Sequence, residues 1–319
     1  MPDILLIKTS SLGDVLHNLP VVTDICKHFP GAKIDWVVEE SFAALPTLHP
    51  QIRQTIPVAI RRWRKSWWSA RDEIKHACST IKNHPYDFVL DTQGLIKSAV
   101  LTRCARQQRC GFDWNSAREP LASLFYDHTF FVAKNQHAVE RNRQLAGLAL
   151  GYTPQGIADY GIQTPALNLP WLNLSVPTIV LLHATSRDDK LWHEANWTAL
   201  GNTMINNGFN IVLPWGSMAE KARSERLLAT IPHAICPPKL SLPEAAALLG
   251  HAQAVIGVDT GLSHLAAALN VPTIGIYTAT DPGLTGLYAG QRAINLGSAQ
   301  NSPSVNAVLS ALTSLLKHA

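Results

Sequence analysis

Short unbroken apolar runs recur along the chain, and most are followed by a segment with helical spacing. An uninterrupted apolar strand needs cover on both faces, as in a parallel sheet between layers of helix. In the first half, Ile4 to Ile7 is such a run, with a helix expected from Val15 to Phe29 and closed by Pro30-Gly31. A strand from Ile34 to Val38 follows, then a basic stretch from Arg61 to Lys65 and a helix from about Ala70 to Lys82. YDFVLDTQG ends a further strand in a turn, and Leu95 to Ala105 reads as helix.

Between Gly151 and Pro177 the periodicity fails. The segment is rich in Pro, Gly and Asn, as a linker is. The alternation then restarts: TIVLLHAT, helix Trp197 to Asn207, NIVLPWG, helix Ala219 to Thr230, HAIC, helix Leu242 to Gly250, AVIGVDT, helix Leu262 to Leu269, PTIGIYT. Strands alternating with helices of this length specify doubly wound α/β architecture. Two Rossmann-like domains, 1–160 and 161–319, are therefore expected to face each other across a cleft. The last helical stretch, Val305 to His318, is expected to pack back across the linker.

A chain of 319 residues can support two such cores. The N-terminus, with Asp3 and few apolar residues before Lys8, reads as neither leader nor span, and no run reaches the ~20 apolar residues of a transmembrane helix. Five scattered cysteines without a CxxC pair argue for a reducing compartment and against structural zinc. A net charge of +4 is too small to indicate nucleic acid. GxGxxG is missing after the first strand of either half, which counts against a nicotinamide or flavin enzyme, and P-loop spacing is absent too.

Two turns concentrate the polar chemistry. ILLIKTSSLGDVL passes from strand to helix through Ser10, Ser11, Gly13 and Asp14. Ser11 and Asp14 fit a capping box. The alternative is a carboxylate at the ligand-binding edge of a sheet, ionised near a helix N-terminus and able to accept a proton. AVIGVDTGLSHL makes the same passage through Asp259, Thr260 and Gly261, with His264 one turn on. Capping by Asp259 or Thr260 would explain it; so would an anion held on free backbone N–H groups. HATSRDDKLW offers Thr185, Ser186 and Lys190 to phosphate, unless Arg187, Asp188, Asp189 and Lys190 only pair among themselves. In LPWGSMAE, Trp215 and Glu220 suit a base and a pair of hydroxyls, or a core and a cap.

IRRWRKSWW mixes Arg61, Arg62, Arg64 and Lys65 with Trp63, Trp67 and Trp68. A solvated helix face explains the charges but not the tryptophans. The composition suits a membrane interface or an anionic amphiphile, with nucleic-acid stacking the weaker option. Arg118 and Arg141 are expected to extend the patch, because arginine grips phosphate and carboxylate bidentately.

KTSSLGDVLHNLP, VAIRRWRK, DTQGLIKSA, SAREPLASLFY, HAVER, HATSRDDKLW, LPWG and VDTGLSHLAAAL, in that order, resemble the family 9 glycosyltransferases, the heptosyltransferases of Gram-negative lipopolysaccharide synthesis. IRRWRK and SAREPLASLF narrow the resemblance to the branch that adds the first heptose. The resemblance implies a GT-B fold, with acceptor in the N-terminal domain and nucleotide sugar in the C-terminal one. It implies transfer of L-glycero-D-manno-heptose from ADP-heptose to the 5-hydroxyl of Kdo on lipid A, with inversion. Asp14 is then the general base, and Lys190 supports the leaving diphosphate. Ser10, Ser11, Thr185, Ser186, Asp259, Thr260, Gly261 and His264 hold the donor. Trp215, Glu220 and Leu240 lie near adenosine; Leu240 stands where relatives carry methionine. Arg61, Arg64, Lys65, Arg118 and Arg141 clamp the acceptor's phosphates and carboxylates. No cofactor and no metal are expected, and the enzyme is expected in the cytoplasm, peripheral on the inner membrane. The rivals are a nucleotide-sugar epimerase or hydrolase of the same architecture and a non-catalytic anionic-lipid binder; the first should lack a basic, Trp-bearing surface, the second a nucleotide pocket.

Overall fold

The computed structural model describes every residue except Trp67, Leu167, Asn168, Leu174, His318 and Ala319. The chain divides into two compact units, Met1–Gln163 and Thr164–Ala319.

The first unit runs β1 (Asp3–Ile7), α1 (Leu12–Leu16), α2 (Leu19–His28), β2 (Lys33–Glu39), β3 (Ile52–Val58), α3 (Ile60–Trp63), α4 (Arg71–Lys82), β4 (Phe88–Asp91), α5 (Ile96–Thr102), β5 (Gln108–Phe112), β6 (His128–Phe130) and α6 (Ala138–Leu150), with a 3-10 helix at Pro120–Phe125. Its six strands are all parallel, in the order β3-β2-β1-β4-β5-β6. From β1 the chain winds outward through β2 and β3, then returns to place β4 on the other side of β1. The carboxyl end of such a reversal is the usual ligand position in an open α/β sheet.

The single helix expected from Val15 to Phe29 is two helices. Pro20 has no N–H to give the carbonyl of Leu16, so the ladder stops and α2 restarts with proline in its first turn. Asn142 of α6 repairs part of the break by donating to the His17 carbonyl at 3.1 Å. Helix α6 is itself held by Arg143, whose guanidinium donates to both Asp24 oxygens on α2, at 2.7 and 3.2 Å. That pair is buried, at 2% and 6% side-chain exposure.

The second unit runs β7 (Thr178–Leu182), α7 (Glu194–Asn206), β8 (Asn210–Val212), α8 (Met218–Leu228), α9 (Leu242–Gly250), β9 (Ala254–Val258), α10 (Gly261–Ala268), β10 (Thr273–Tyr277), α11 (Pro282–Thr285), β11 (Ala293–Gly297) and α12 (Val305–Lys317). Its five parallel strands are ordered β11-β10-β9-β7-β8, so this sheet reverses between β7 and β9. HAIC forms no strand and contributes only a bridge between Val212 and Ile235. One face of α12 enters the second unit's own core, where Val308, Leu312 and Leu315 pack with Trp192, Trp197 and Ile274. The described residues of the predicted linker carry neither helix nor strand. One cysteine pair departs from the expectation of scattered thiols, since Cys78 of α4 and Cys104 after α5 are joined in a disulfide. Among the described residues no helix is long and apolar enough to cross a membrane.

Candidate active site

In the first unit the reversal between β1 and β4 is built by two turns that lock together. Gln93, after β4, accepts the Thr9 N–H at 2.6 Å and the Thr9 hydroxyl at 2.8 Å on its Oε1. It donates from Nε2 to the Ser10 carbonyl at 2.6 Å. Asp91 holds Gln93 in turn, accepting its N–H at 2.8 Å. Beneath the turn Lys8 is wholly buried, donating to the Thr92 carbonyl at 2.8 Å and to Asn142 Oδ1 at 3.4 Å. Burial pulls the Lys8 ammonium down to about 8, while Asp14 and Asp91 pull the other way.

Asp14 stands on this platform in the first turn of α1. The capping contact is formed, and it leaves the carboxylate partly exposed. Ser11 donates to Asp14 Oδ2 from its N–H at 2.8 Å and from its hydroxyl at 2.9 Å. The side chain nevertheless stays 29% exposed, with the exposed Arg118 guanidinium 4.0 Å from the same oxygen. The cap uses one carboxylate oxygen and fixes the rotamer; the group still meets solvent at the sheet edge. Ser10 is buried, and its hydroxyl accepts from Lys97 Nζ at 2.6 Å, so it helps build the turn rather than meeting a ligand in the open.

Lys97 and Gln93 were not singled out from the sequence, although both lie in DTQGLIKSA, directly after a strand. Burial holds the Lys97 ammonium below the ordinary lysine value; Glu39 and Asp14 favour its charge, Arg61 and Arg64 oppose it. Those causes place Lys97 in one field with Asp14 and the basic segment. The segment itself separates into paired or buried residues and exposed ones. Trp63 is a core residue, its indole N–H donating to Glu73 Oε2 at 2.9 Å, which corrects its assignment to an exposed amphiphile surface. Arg62 is taken up by Glu40 and Glu73. Arg61, Arg64 and Lys65 are exposed, and no carboxylate of the described residues pairs with their side chains; the Arg61 guanidinium lies over Phe42, 5.4 Å from the ring centre. Trp68 is exposed, and Trp67 falls outside the described residues.

Arg141 is the other partial correction. Its guanidinium donates to the Ala133 carbonyl at 3.1 Å and the Ser116 carbonyl at 2.6 Å, and lies 4.9 Å from the Phe112 ring centre. Half-buried and bound to backbone, it fixes the loop that carries Arg118.

In the second unit the reversal falls between β7 and β9, and the loops leaving those strands meet. Thr185 donates to the Asp259 carbonyl at 3.0 Å. Lys190, in a 3-10 turn at Asp188–Lys190, donates to Asp259 Oδ2 at 2.6 Å. Thr280 donates to the same oxygen at 2.8 Å, and His264 Nε2 lies 3.9 Å from Oδ1. Burial would raise the Asp259 carboxyl, but His264, Lys190 and Thr280 outweigh it and hold it well below the usual carboxylate range. Arg187 and Asp189 pair with each other, as a solvated turn would. Lys190 does not join them. Ser186 is exposed beside it.

Thr260 is the N-cap of α10, yet no side chain of the described residues caps that helix. The Ser263 N–H turns back to the Thr260 carbonyl at 3.1 Å, and ahead of it the Gly261 and Leu262 N–H groups have no side-chain cap among the described residues, as an anion site at a helix N-terminus requires. Gly257 is required at the end of β9, because a Cβ there would lie 2.2 Å from the Ser263 hydroxyl. That hydroxyl donates to the Val258 carbonyl at 2.8 Å and so draws the helix onto the strand.

Glu220 caps α8: its Oε2 accepts the Gly216 N–H at 2.6 Å and the Ser217 N–H at 3.1 Å. Trp215 is half-buried, its indole N–H donating to the Pro237 carbonyl at 2.9 Å, with Lys221 Nζ 5.7 Å from the ring centre. Leu240 is partly exposed before the N-cap of α9. Trp215 follows β8, Glu220 stands in the first turn of α8 and Leu240 precedes α9.

The chain matches the family model described as glycosyltransferase family 9 (heptosyltransferase) over residues 75–313. It is 47% identical over 308 residues to lipopolysaccharide heptosyltransferase 1 of Salmonella typhimurium, covering 95% of this chain and 97% of the relative. Among solved structures, the E. coli heptosyltransferase WaaC with ADP superposes with a TM-score of 0.91 at 44% identity, over 98% of this chain and 99% of that one. WaaC with ADP-2-deoxy-2-fluoro heptose gives 0.87 at 42% identity, over 99% and 100% of the two chains. These structures carry the two-sheet GT-B architecture expected from the resemblance.

Proposed function

Because the chain belongs to glycosyltransferase family 9, the heptosyltransferases, we propose that it adds the first heptose of the lipopolysaccharide inner core. It is a glycosyltransferase that draws heptose from ADP-heptose for lipopolysaccharide synthesis. The donor is ADP-L-glycero-D-manno-heptose and the acceptor the 5-hydroxyl of a Kdo sugar on lipid A. The anomeric centre inverts in one displacement: the acceptor oxygen bonds to the anomeric carbon as the bond from that carbon to the diphosphate oxygen breaks. The hydroxyl proton passes to Asp14, and ADP leaves with the bonding pair.

One observation carries this reading. Each sheet has a reversal point, and each reversal point gathers charged side chains that suit one half of a glycosyl transfer. At the first stands a solvent-open carboxylate, Asp14, with the exposed Arg118 guanidinium 4.0 Å away; at the second stand a lysine ammonium held by Asp259 and a helix N-terminus whose N-cap side chain makes no capping bond. A displacement with anionic leaving group needs a proton acceptor on one reactant and fixed positive charge on the other. Residues 1–160 accordingly bind the acceptor through Arg61, Arg64, Lys65 and Arg118, with Lys97 behind them. Residues 161–319 bind the donor. Lys190, Thr185, Ser186 and the α10 amides meet the diphosphate; Asp259, Thr260, Gly261 and His264 position the heptose; Trp215, Leu240 and Glu220 border the adenosine. Arg141 acts by holding the Arg118 loop. The work is done at the cytoplasmic face of the inner membrane, where the lipid-linked acceptor is presented.

Transfer of labelled heptose from ADP-heptose to de-heptosylated lipopolysaccharide, with and without the purified chain, tests the proposal. Label appearing on the Kdo 5-oxygen with an anomeric configuration opposite to the donor's is expected. Release of free heptose without transfer, or retention, would overturn it.

A further inference from the structure

Helix α5 and the 3-10 helix Pro120–Phe125 pack on each other through Ala99, Ala122 and Tyr126, with Phe125 alongside. Glu119 joins them at one end, its Oε2 accepting the Ile96 N–H at 2.7 Å. Beside that seam each element presents an exposed apolar row at its own period. On α5 the row is Ile96 and Val100, four apart and 37% and 47% exposed; on the 3-10 helix it is Leu121 and Leu124, three apart and 51% and 69% exposed. Single exposed apolar residues need no explanation, but two such pairs on elements that pack together call for one.

Cations border this face. Arg103 caps the C-terminal end of α5, Arg118 precedes the 3-10 helix, and both are exposed. Of the acidic groups around it, Glu119 is engaged by the Ile96 amide, Asp127 by Arg109, and Asp14 faces Arg118, which leaves Arg103 as the rim cation without a carboxylate partner among the described residues. The patch is also continuous with the acceptor side of the site, since Arg118 stands 4.0 Å from Asp14. An apolar surface rimmed by arginine is complementary to an anionic bilayer, where side chains enter the acyl boundary and guanidinium groups meet headgroup phosphates.

We propose that this face, centred on Leu121, Leu124, Ile96 and Val100, docks the protein on the surface of an anionic lipid bilayer. The proposal rests on the reading of the acceptor as a lipid-linked sugar and refines it by moving the membrane contact. The basic segment at Arg61 to Lys65 has its Trp63 in the core and its Arg62 in ion pairs, which leaves that segment's remaining cations to the acceptor's own charges.

Cosedimentation of the full chain with vesicles of phosphatidylglycerol and phosphatidylcholine, containing no acceptor, tests it. The chain should bind these vesicles, more weakly as salt rises. Leu121→Ser combined with Leu124→Ser should weaken binding about tenfold or more, and Ile96→Ser with Val100→Ser should do so independently. Both variants should retain wild-type transfer to a deacylated, water-soluble acceptor, which also shows that they fold. Wild-type failure to bind acceptor-free vesicles, or undiminished binding by both variants, would overturn the proposal. Failure of the wild type to transfer heptose to the soluble acceptor would strike the enzymatic reading and leave the vesicle result standing.

Discussion

Lys190 Nζ lies 2.6 Å from Asp259 Oδ2, so the lysine assigned to the leaving diphosphate is already paired with a carboxylate of the neighbouring loop. The two groups are 18% and 14% exposed, sheltered enough for the pair to hold its geometry. Asp259 fixes the ammonium in place and offsets much of its charge; on the proposed reading, the diphosphate competes for it. Removing the cation should therefore harm the reaction more than ground-state binding. Lys190→Met is expected to lower kcat by about 10²–10³, with a smaller loss of ADP affinity by calorimetry. A loss confined to ADP affinity, with kcat intact at saturation, would assign the lysine to binding alone.

Asp14→Asn keeps a carbonyl oxygen to accept from Ser11 and removes the base. Turnover should fall by about 10²–10⁴, while ADP binding and the melting temperature stay near wild type. Melting that falls along with turnover would mean the side chain serves chiefly as a cap.

Arginines of the first unit should sort by what they touch. Arg64 is exposed with no carboxylate partner among the described residues, so Arg64→Ala should raise the acceptor KM and leave the donor KM and stability alone. Arg141 bonds two backbone carbonyls, and its loss should destabilise by about 1–3 kcal/mol. Steady-state kinetics with each substrate varied, beside urea titration, separates the two; equal effects would refute the distinction.

Asp24→Ala would leave Arg143 charged and buried without its main partner. A cost of about 3–5 kcal/mol is expected from such a broken pair, read from the denaturation midpoint. A shift under 1 kcal/mol would show that Glu140 alone suffices for Arg143.

Acid should destabilise the fold through two buried histidines. Desolvation presses His49 and His183 from 6.5 to about 4, with Asp159 opposing at His49 and the arginines Arg223 and Arg226 assisting at His183. The unfolded chain takes up these protons first, so their stabilisation is complete above pH 6.5 and declines as pH falls towards 4. Each histidine accounts for at most about 3 kcal/mol over that window. Urea midpoints measured between neutral pH and pH 4 should fall, and His183→Gln should flatten the curve.

Runs such as ILLI, TIVLL and AVIGV were legible as strands because burial on both faces leaves no room for a polar residue. β3, β6 and β11 were not, because edge or partly exposed strands admit Arg, Gln, His and Asn and lose that mark. α6 hid for the opposite reason: its inward positions include Asn142 and Arg143, polar residues buried against polar partners. The turn residues Asp14, Lys190, Asp259 and Gly261 could be picked out locally, since a strand-to-helix passage through Gly, Ser, Thr and Asp is a chain-local event. Partnership is not. That Trp63 points into a core, that Arg141 is bound to carbonyls, and that Gln93 and Lys97 support the Asp14 turn all depend on strand order. Sequence settled which segments alternate and where the polar turns fall, because periodicity is imposed by the backbone itself. Only the folded sheets, by reversing direction between β1 and β4 and again between β7 and β9, decided which distant turns share a crevice.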